Sequence, residues 1–163
     1  MNSQGRLIER FTRELAPGRL EWIGLRSERR GTVIAVEAVQ ALEGLGLEGD
    51  RRCQGAPGSA RQVTLISREY IAQIAHFMGQ EAIEPSLLRR NLVVSGVNLS
   101  ALRHQRFRIG AAEFEATALC HPCSRMEEVL GPGGVAAMLG HGGLCARILT
   151  SGLIRCGDTL LKL

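Results

Sequence analysis

The sequence predicts a mainly β domain with short helices, an α+β chain whose strands form a closed or curled β-barrel. Three observations predict this class: about eight short apolar segments typical of strands, only three or four short helical segments, and glycine-rich turns between neighbouring strands. Strands and helices do not alternate in the regular way that a doubly wound sheet requires. A chain of 163 residues is long enough to bury the core of one such domain.

Residues 1–19 are predicted to form an N-terminal helical strap that packs across the main domain, residues 20–163. The segment 6–15 carries apolar residues at helical spacing, which indicates a short amphipathic helix. These residues are Leu7, Ile8, Phe11 and Leu15. Pro17 and Gly18 are expected to end the helix.

Three strands are predicted in the first half of the main domain. Residues 20–26 and 32–39 are rich in apolar and β-branched residues, and the polar stretch 27–30 between them is typical of a turn. Residues 62–67 form the third strand. Between the second and third of these strands, residues 42–60 contain five glycines and little periodicity, which indicates a long loop; such loops are usually functional or mobile.

A helix over residues 68–78 is expected next, with Ser67 as its N-cap. Pro85 then begins a helical turn over residues 86–90, and residues 91–95 follow as a strand. Three strands and two short helical pieces follow. The strands are 107–110, 113–119 and 145–150, and the helical pieces are 124–130 and 135–139. A final hairpin is predicted to pair residues 153–155 with residues 159–163.

The residues most suggestive of chemistry are Cys120-His121-Pro122-Cys123, which precede the predicted helix at 124–130. A thiol at the N-terminus of a helix lies at the positive end of the helix dipole, which favours the thiolate. The neighbouring Arg125 acts in the same direction. Cys123 is therefore the candidate reactive cysteine.

Three interpretations of these cysteines are open. They are small buried apolar residues, or ligands of a structural zinc ion, or a single activated thiolate used in sulfur or redox chemistry. The zinc ligands would be Cys120, Cys123, His141 and Cys145, which combine Cys-x2-Cys with His-x3-Cys. Glycines on both sides of His141 favour a loop that closes on a ligand. A thiol–disulfide oxidoreductase is disfavoured because the helix after Cys123 is short.

The composition excludes several functional classes. No apolar run approaches the roughly 18 residues of a membrane span, and the charged N-terminus has no apolar segment of a signal peptide, so a cytoplasmic location is expected. The net charge is +4, but no basic tail or nucleic-acid-binding helix is visible, so nucleic acid is not an expected partner. All basic residues except Lys162 are arginines. This suits phosphate or carboxylate recognition, and an arginine-biased genome would give the same composition.

Several segments, taken in order, together resemble one family. They are Gly49-Asp50, residues 61–66, residues 89–96, residues 107–110, residues 120–127, residues 140–143 with Ala146-Arg147, and Gly157-Asp158. The chain resembles a stand-alone bacterial MOSC domain, the module named after the C-terminal part of molybdenum cofactor sulfurases. The resemblance extends from about residue 20 to the C-terminus and implies a β-barrel of MOSC type.

The resemblance also implies that Cys123 carries sulfur as a persulfide or ligates molybdenum in a bound molybdopterin cofactor, with Cys120 as a dispensable companion. If the chain is an enzyme, it is a molybdenum-dependent oxidoreductase of N-hydroxylated compounds or a sulfurtransferase. Its expected partners are a cysteine desulfurase or an electron-donating reductase, since no flavin or iron–sulfur motif is visible. Pyridoxal phosphate is not an expected cofactor. The molybdenum cofactor is expected to be one that can be lost during purification.

For such a cofactor, arginines are the expected ligands of the phosphate because a guanidinium binds it through two parallel hydrogen bonds. The candidates are Arg52, Arg61, Arg90 and Arg125, and Arg51 and Arg89 belong to the same arginine-rich segments. Asn91 and Ser95 are predicted to hydrogen-bond the pterin, although Asn91 is equally suited to capping a turn. His141 is predicted to donate a proton or contact an anion near Cys123, or else to be a hydrogen-bonded loop histidine.

Overall fold

A computed structural model describes residues 2–163. Its eleven strands are β1 (Gly18–Arg26), β2 (Val33–Val36), β3 (Ala38–Leu42), β4 (Gly46–Leu47), β5 (Val63–Ser67), β6 (Leu92–Ser95), β7 (Arg106–Ile109), β8 (Ala112–Leu119), β9 (Leu144–Thr150), β10 (Gly152–Arg155) and β11 (Thr159–Lys162). Its α-helices are α1 (Ser3–Phe11), α2 (Arg68–Phe77), α3 (Ser124–Leu130) and α4 (Gly134–Met138). Short 3-10 helices occupy Arg51–Gln54, Pro85–Leu88 and Leu99–Leu102.

Seven strands close into a barrel in the order β11-β7-β8-β9-β5-β6-β1, and the pairing of β1 with β11 completes the circle. In that closing pair, Gly18 lies opposite Leu160 and Arg19 opposite Thr159. Among the strand pairs of residues 2–163, only β5–β6 is parallel. Strand β2 extends the barrel sheet from β1, and β10, β3 and β4 form a separate three-stranded sheet. The predicted β-barrel is confirmed.

Strands β5 and β6 separate two apolar cores. Leu65 and Leu92 point into the barrel, whereas Ile66 and Val93 point outward and pack against the helices. Successive side chains of a strand face opposite sides of the sheet, so both faces of these two strands are apolar. The four side chains are at most 1% exposed. The helical layer, which includes α3, is thus fixed directly on the barrel wall.

Most predicted elements between residues 20 and 150 occur within two residues of their predicted ends. The segment 32–39 is different: it is divided between β2 and β3, which belong to different sheets. The predicted loop at 42–60 contains β4 and the helical turn Arg51–Gln54, and the turn predicted at 86–90 lies at Pro85–Leu88.

The N-terminal helix was predicted at residues 6–15 but occupies Ser3–Phe11. The side chain of Asn2 accepts a hydrogen bond from the Gly5 amide and caps the helix. Its expected apolar face is largely unburied, because Leu7 is 57% and Phe11 79% exposed. The helix attaches to the barrel through a polar contact instead, a hydrogen bond from Gln105 Nε2 to the Gly5 carbonyl.

The predicted C-terminal hairpin is wrong. Strand β10 pairs with β3 in the smaller sheet, and β11 pairs with β7 and β1 to close the barrel. The chain does turn at Gly157, whose φ of +96° suits a glycine. After this turn the two strands lie in different sheets. Strand β11 pairs with the edge of β1 and so closes the barrel. None of the helices in the described part, residues 2–163, is long and apolar enough to cross a membrane.

Candidate functional site

Cys123 is the N-cap residue of α3 and the exposed cysteine of the chain; the other four are buried or half-buried. Its backbone is extended (φ −122°, ψ 172°), and its side chain makes no capping hydrogen bond. The chain leaves strand β8 at Leu119 and begins α3 at Ser124, so Cys123 lies where the backbone passes from the barrel to the helical layer. This thiol is accessible to a ligand or a partner protein.

Cys120 has a different environment. It is 4% exposed and lies beside Cys145 of β9, which is 3% exposed. The guanidinium of Arg61 contacts both sulfur atoms: Nε lies 3.1 Å from Cys145 Sγ, and Nη2 lies 3.8 Å from Cys120 Sγ. We call Cys120 and Cys145 the thiol pair and Arg61 its arginine. The sequence motif suggested Cys123 as the companion of Cys120, but the side-chain partner of Cys120 is Cys145.

Of the thiol pair, Cys145 is the cysteine whose surroundings favour the thiolate. A hydrogen bond from the Cys120 thiol, together with the hydrogen bond and charge of Arg61, outweighs burial and lowers the pKa of Cys145 to about 6. The same hydrogen bond, reinforced by burial, raises the pKa of Cys120. A buried thiolate is tolerated here because an arginine compensates its charge directly.

Arg90 connects three segments around the cysteines. It is 8% exposed, and its guanidinium donates to the carbonyls of Gly142 (2.8 Å), Leu88 (3.0 Å) and Cys120 (3.3 Å). The loop at 140–143 is held very close to the Cys120 turn, since a Cβ at Gly142 would lie 2.1 Å from the Cys120 carbonyl oxygen. Arg90 thus orients the turn that precedes Cys123. The predicted binding of a phosphate by Arg90 stays a prediction.

His141 lies against two aromatic rings, Tyr70 at 5.3 Å and Phe77 at 6.0 Å between centroids. Its Nδ1 is buried and has no hydrogen-bond partner among residues 2–163. Its predicted role as a proton donor near Cys123 is not tested by these contacts and stays a prediction.

The four candidate zinc ligands do not form a cluster. Within the described residues, 2–163, no group of three or more His, Cys, Asp or Glu side chains is arranged to hold a metal ion. Cys145 is instead hydrogen-bonded to Arg61, and His141 packs between aromatic rings. The zinc interpretation therefore lacks a ligand set in this fold.

Asn91 and Ser95 have protein partners. Asn91 is 1% exposed. Its Nδ2 donates to Asp50 Oδ2 (2.9 Å), and its Oδ1 accepts from Arg26 Nη2 (3.1 Å). Burial raises the pKa of Asp50, but the hydrogen bonds and charge of Arg26 prevail and lower it. Ser95 Oγ donates to Glu21 Oε1 at 2.6 Å. Contact of either residue with a pterin stays a prediction.

Arginines are concentrated on either side of the β1–β2 turn. One depression, of about 430 Å³, is lined by Arg29, Arg51 and Arg52, and a second, of about 250 Å³, by Arg30, Arg89 and Arg125. We call these six residues the arginine strip. Arg125 Nη2 donates to the Arg30 carbonyl at 3.3 Å, so α3 is attached to the turn. Arg52 and Arg125, two of the predicted phosphate ligands, belong to the strip, whereas Arg61 and Arg90 face the cysteines.

Within the described residues, 2–163, no carboxylate forms a salt bridge with an arginine of the strip, although Glu28 also lines one of its depressions. Burial, and then repulsion from Arg125, Arg26 and Arg51, lower the pKa of Arg89. Arg26 is already paired with Asp50 at 3.2 Å. An anion bound in the strip would relieve this repulsion, which makes the strip the best candidate for a phosphate.

Sequence reasoning missed the thiol pair and its arginine. Arg61 and Cys145 are 84 positions apart in the chain, and no local pattern connects them. Arg61 was predicted as a phosphate ligand, while Cys145 was considered only as a zinc ligand. The antiparallel pairing of β5 with β9, which places Val63 opposite Ala146, brings the two residues together. A sequence-local signal of this pairing does not exist.

The chain has recognisable relatives in sequence and in fold. The family model of the MOSC domain matches residues 50–161, and no curated protein matches the chain. The YuaD protein from Bacillus subtilis has a similar structure, with a TM-score of 0.76 and 20% identity over 90% of this chain and 96% of that one. YiiM from Escherichia coli has a TM-score of 0.69 and 20% identity, over 89% of this chain and 69% of that one. YiiM from Geobacillus stearothermophilus is 15% identical, with a TM-score of 0.69, over 90% of this chain and 75% of that one.

Proposed function

Because the chain belongs to the MOSC domain family, we propose that it binds a molybdenum–pterin cofactor, with Cys123 as the thiolate ligand of the metal. The observation that carries the proposal is the exposed Cys123 thiol, which has no capping partner in the protein. Molybdenum takes soft sulfur ligands, and a thiolate is the softest donor that a side chain supplies. The buried thiol pair is occupied by Arg61 and does not offer such a donor.

The arginine strip supports the phosphate end of the same proposal. Arg125 is two residues from Cys123, in the first turn of α3, and lines the strip together with Arg89. The thiol and one arginine of the strip therefore lie in the same continuous segment, at the start of α3. Arg52 and Arg51 line the neighbouring depression and offer further guanidinium groups. The donor types present, one soft thiolate and a group of arginines, fit a metal cofactor that carries a phosphate.

The remaining residues orient these groups. Arg90 holds the turn before Cys123 through the carbonyls of Cys120 and Gly142. The hydrogen bonds among Asn91, Asp50 and Arg26 hold β6 and the Arg51–Gln54 turn against the end of β1, beside the arginine strip. His141 is the proposed proton donor. When bound, the cofactor supplies oxygen-atom transfer from N-hydroxylated substrates, and a separate reductase supplies the electrons.

A second candidate function is sulfur carriage on Cys123. The same exposure that admits a metal cofactor also lets a cysteine desulfurase reach the thiol and leave a persulfide on it. This candidate needs Cys123 but does not need the arginine strip. The two functions are therefore separable by substitution.

Native mass spectrometry of anaerobically purified protein tests both. We expect an adduct of pterin size, or of one sulfur removable by reductant, on wild type and on the control variant Cys156→Ser. Cys156 is a half-buried cysteine outside the site. Cys123→Ser should lose the adduct. If Cys123→Ser keeps it, or if wild type stays bare after reconstitution with cofactor and with desulfurase, the proposal fails.

A double variant, Arg89→Met with Arg125→Met, separates the two functions. The double variant should lose a pterin adduct, because two arginines proposed to bind the phosphate are removed. A persulfide on Cys123 should remain. Retention of a pterin adduct by the double variant would contradict the assignment of the phosphate to the arginine strip.

A further inference from the structure

A separate polar groove lies on the outer wall of the barrel, and none of its lining residues is proposed to hold the cofactor. It is lined by Asn2, His104, Arg106, Glu115, Thr117 and Arg147, and its volume is about 440 Å³. We call it the outer groove. Its position follows from strand alternation: Phe107, Phe114 and Ala146 fill the barrel core, so their neighbours Arg106, Glu115 and Arg147 face outward.

Arg147 is the uncompensated cation of the groove. It lies directly opposite Glu115 in the β8–β9 register, a position from which opposite charges usually attract each other. The carboxylate of Glu115 instead lies 3.9 Å from Arg106. Within residues 2–163, Arg147 takes part in no salt bridge, and its buried Nε has no hydrogen-bond partner. A guanidinium in a groove without an acceptor is poorly satisfied by the protein itself.

His104 is a second unsatisfied group in the groove. Its Nε2 is buried and has no partner among the described residues. Its backbone has a φ of +62°, in the left-handed region that residues other than glycine rarely adopt. A hydrogen bond from its amide to the Ala116 carbonyl holds the residue there. Strained backbone that the surrounding structure enforces is frequently found where a side chain contacts a ligand.

We infer that the outer groove binds a small oxyanion, a phosphate or a carboxylate, through Arg147 and His104. The oxyanion supplies the acceptors that both side chains lack and compensates the charge that Glu115 leaves on Arg147. Thr117 also lines the groove, but its hydroxyl already donates to the carbonyls of Ala60 and Cys145. The inference uses none of the proposed cofactor ligands, so it does not depend on the proposed function.

Isothermal titration calorimetry with inorganic phosphate, and separately with acetate, tests the inference at low ionic strength. We expect at least one anion to bind wild type, and Arg147→Met to weaken its binding by about tenfold, the loss expected for charge-assisted hydrogen bonds. The matched control is Arg108→Met, which removes an exposed arginine from the same strand as Arg106. It should bind the anion as wild type does. The anion whose binding Arg147→Met weakens identifies the class of ligand.

A second variant keeps the test valid if Arg147→Met is poorly folded. In the variant His104→Asn, the asparagine tolerates the left-handed backbone, but its side chain is too short to replace the imidazole. This variant should weaken binding of the same anion severalfold. Circular dichroism checks the fold of each variant. The inference is overturned if neither anion binds, or if Arg147→Met and Arg108→Met weaken binding equally, because the effect would then be general surface electrostatics.

Discussion

Cys123 and the Cys120–Cys145 pair have opposite environments, although Cys123 follows Cys120 closely in the chain. Cys123 is exposed and has no capping hydrogen bond, whereas Cys120 and Cys145 are buried beneath the guanidinium of Arg61. The difference arises within three residues. The amide of Cys120 still donates to the Gly143 carbonyl, which continues the β8–β9 ladder, and Pro122 follows before the chain enters α3. A Cys-x2-Cys spacing therefore does not by itself make two cysteines partners.

The two environments also differ in what surrounds the sulfur atoms. In the buried pair, a thiol donor and an arginine replace the water that a thiolate would otherwise require. Cys123 keeps its access to solvent and to ligands. The buried pair therefore suits a fixed charge within the fold, and the exposed thiol suits reversible chemistry. Three predictions test this contrast.

The largest expected effect is a difference in alkylation rate. Iodoacetamide should modify Cys123 on the order of 100-fold faster than Cys120 or Cys145 in the native protein, because buried thiols react only when the structure opens locally. Cys145 is the sharper test of the two, since its lowered pKa makes it ionised at neutral pH yet burial should still protect it. Peptide mass spectrometry at timed intervals measures each site.

The control for this experiment is the same reaction in denaturant, where all five cysteines should react at similar rates. The half-buried Cys53 and Cys156 should be intermediate in the native protein. Native alkylation of Cys145 at the rate of Cys123 would show that Arg61 does not cover the pair, and the contrast would be lost.

The second prediction concerns Arg61→Met. It leaves a buried thiolate without its cation, so Cys145 must take up a proton or bear the cost of an uncompensated charge. Loss of a hydrogen bond to a charged group costs about 1.5–3 kcal/mol, and the free energy of unfolding should fall by that amount at pH 8. Urea denaturation measures it. Arg155→Met, an exposed arginine of β10, is the control and should change stability little.

The second prediction also distinguishes two roles for Arg61. If Arg61→Met were as stable as wild type but lost a pterin adduct, Arg61 would be a phosphate ligand, as the sequence suggested. Reduced stability with an unchanged adduct would assign it to the thiol pair.

The barrel was predictable because its signals are local. Alternating apolar residues mark β8, and Ser67 marks the start of α2; both features occur where the sequence places them. The β10–β11 hairpin was predicted wrongly because a glycine turn between two short strands is the usual local signal of a hairpin. The actual pairing depends on which strand edge is free after the rest of the barrel has formed, and sequence neighbours do not encode that.

The candidate site was predictable only in part, for the same reason. The position of Cys123 before a helix is a local feature, and it was predicted correctly. The partners of Arg90 and Asn91 were not, because each binds groups that are distant in the chain: Arg90 reaches Gly142, and Asn91 reaches Asp50. Polar residues in the sequence indicate hydrogen-bonding capacity, but only the fold decides whether protein or ligand satisfies it.

The third prediction is a pH dependence of stability. The ordinary pKa of 9.0 for cysteine applies to the unfolded chain, and Cys145 has a pKa of about 6 in the fold. Between these values the unfolded state binds one proton more than the folded state. The free energy of unfolding should therefore rise with pH from about 6 to about 9, with a limiting slope of about 1.4 kcal/mol per pH unit. Above pH 9 it should fall, because the raised pKa of Cys120 keeps that thiol protonated only in the fold.

Cys145→Ser isolates this contribution from other titrating groups. The variant replaces the thiol with a hydroxyl of similar shape that does not ionise in this range, so the rise between pH 6 and 9 should be smaller by the contribution of Cys145. Cys123→Ser should keep the full rise, since Cys123 takes no part in the pair. Identical urea-denaturation profiles for wild type and Cys145→Ser would mean that Cys145 is a thiol at neutral pH. In that case Arg61 would be free of the pair, and its guanidinium would again be available to an anionic ligand beside Cys120.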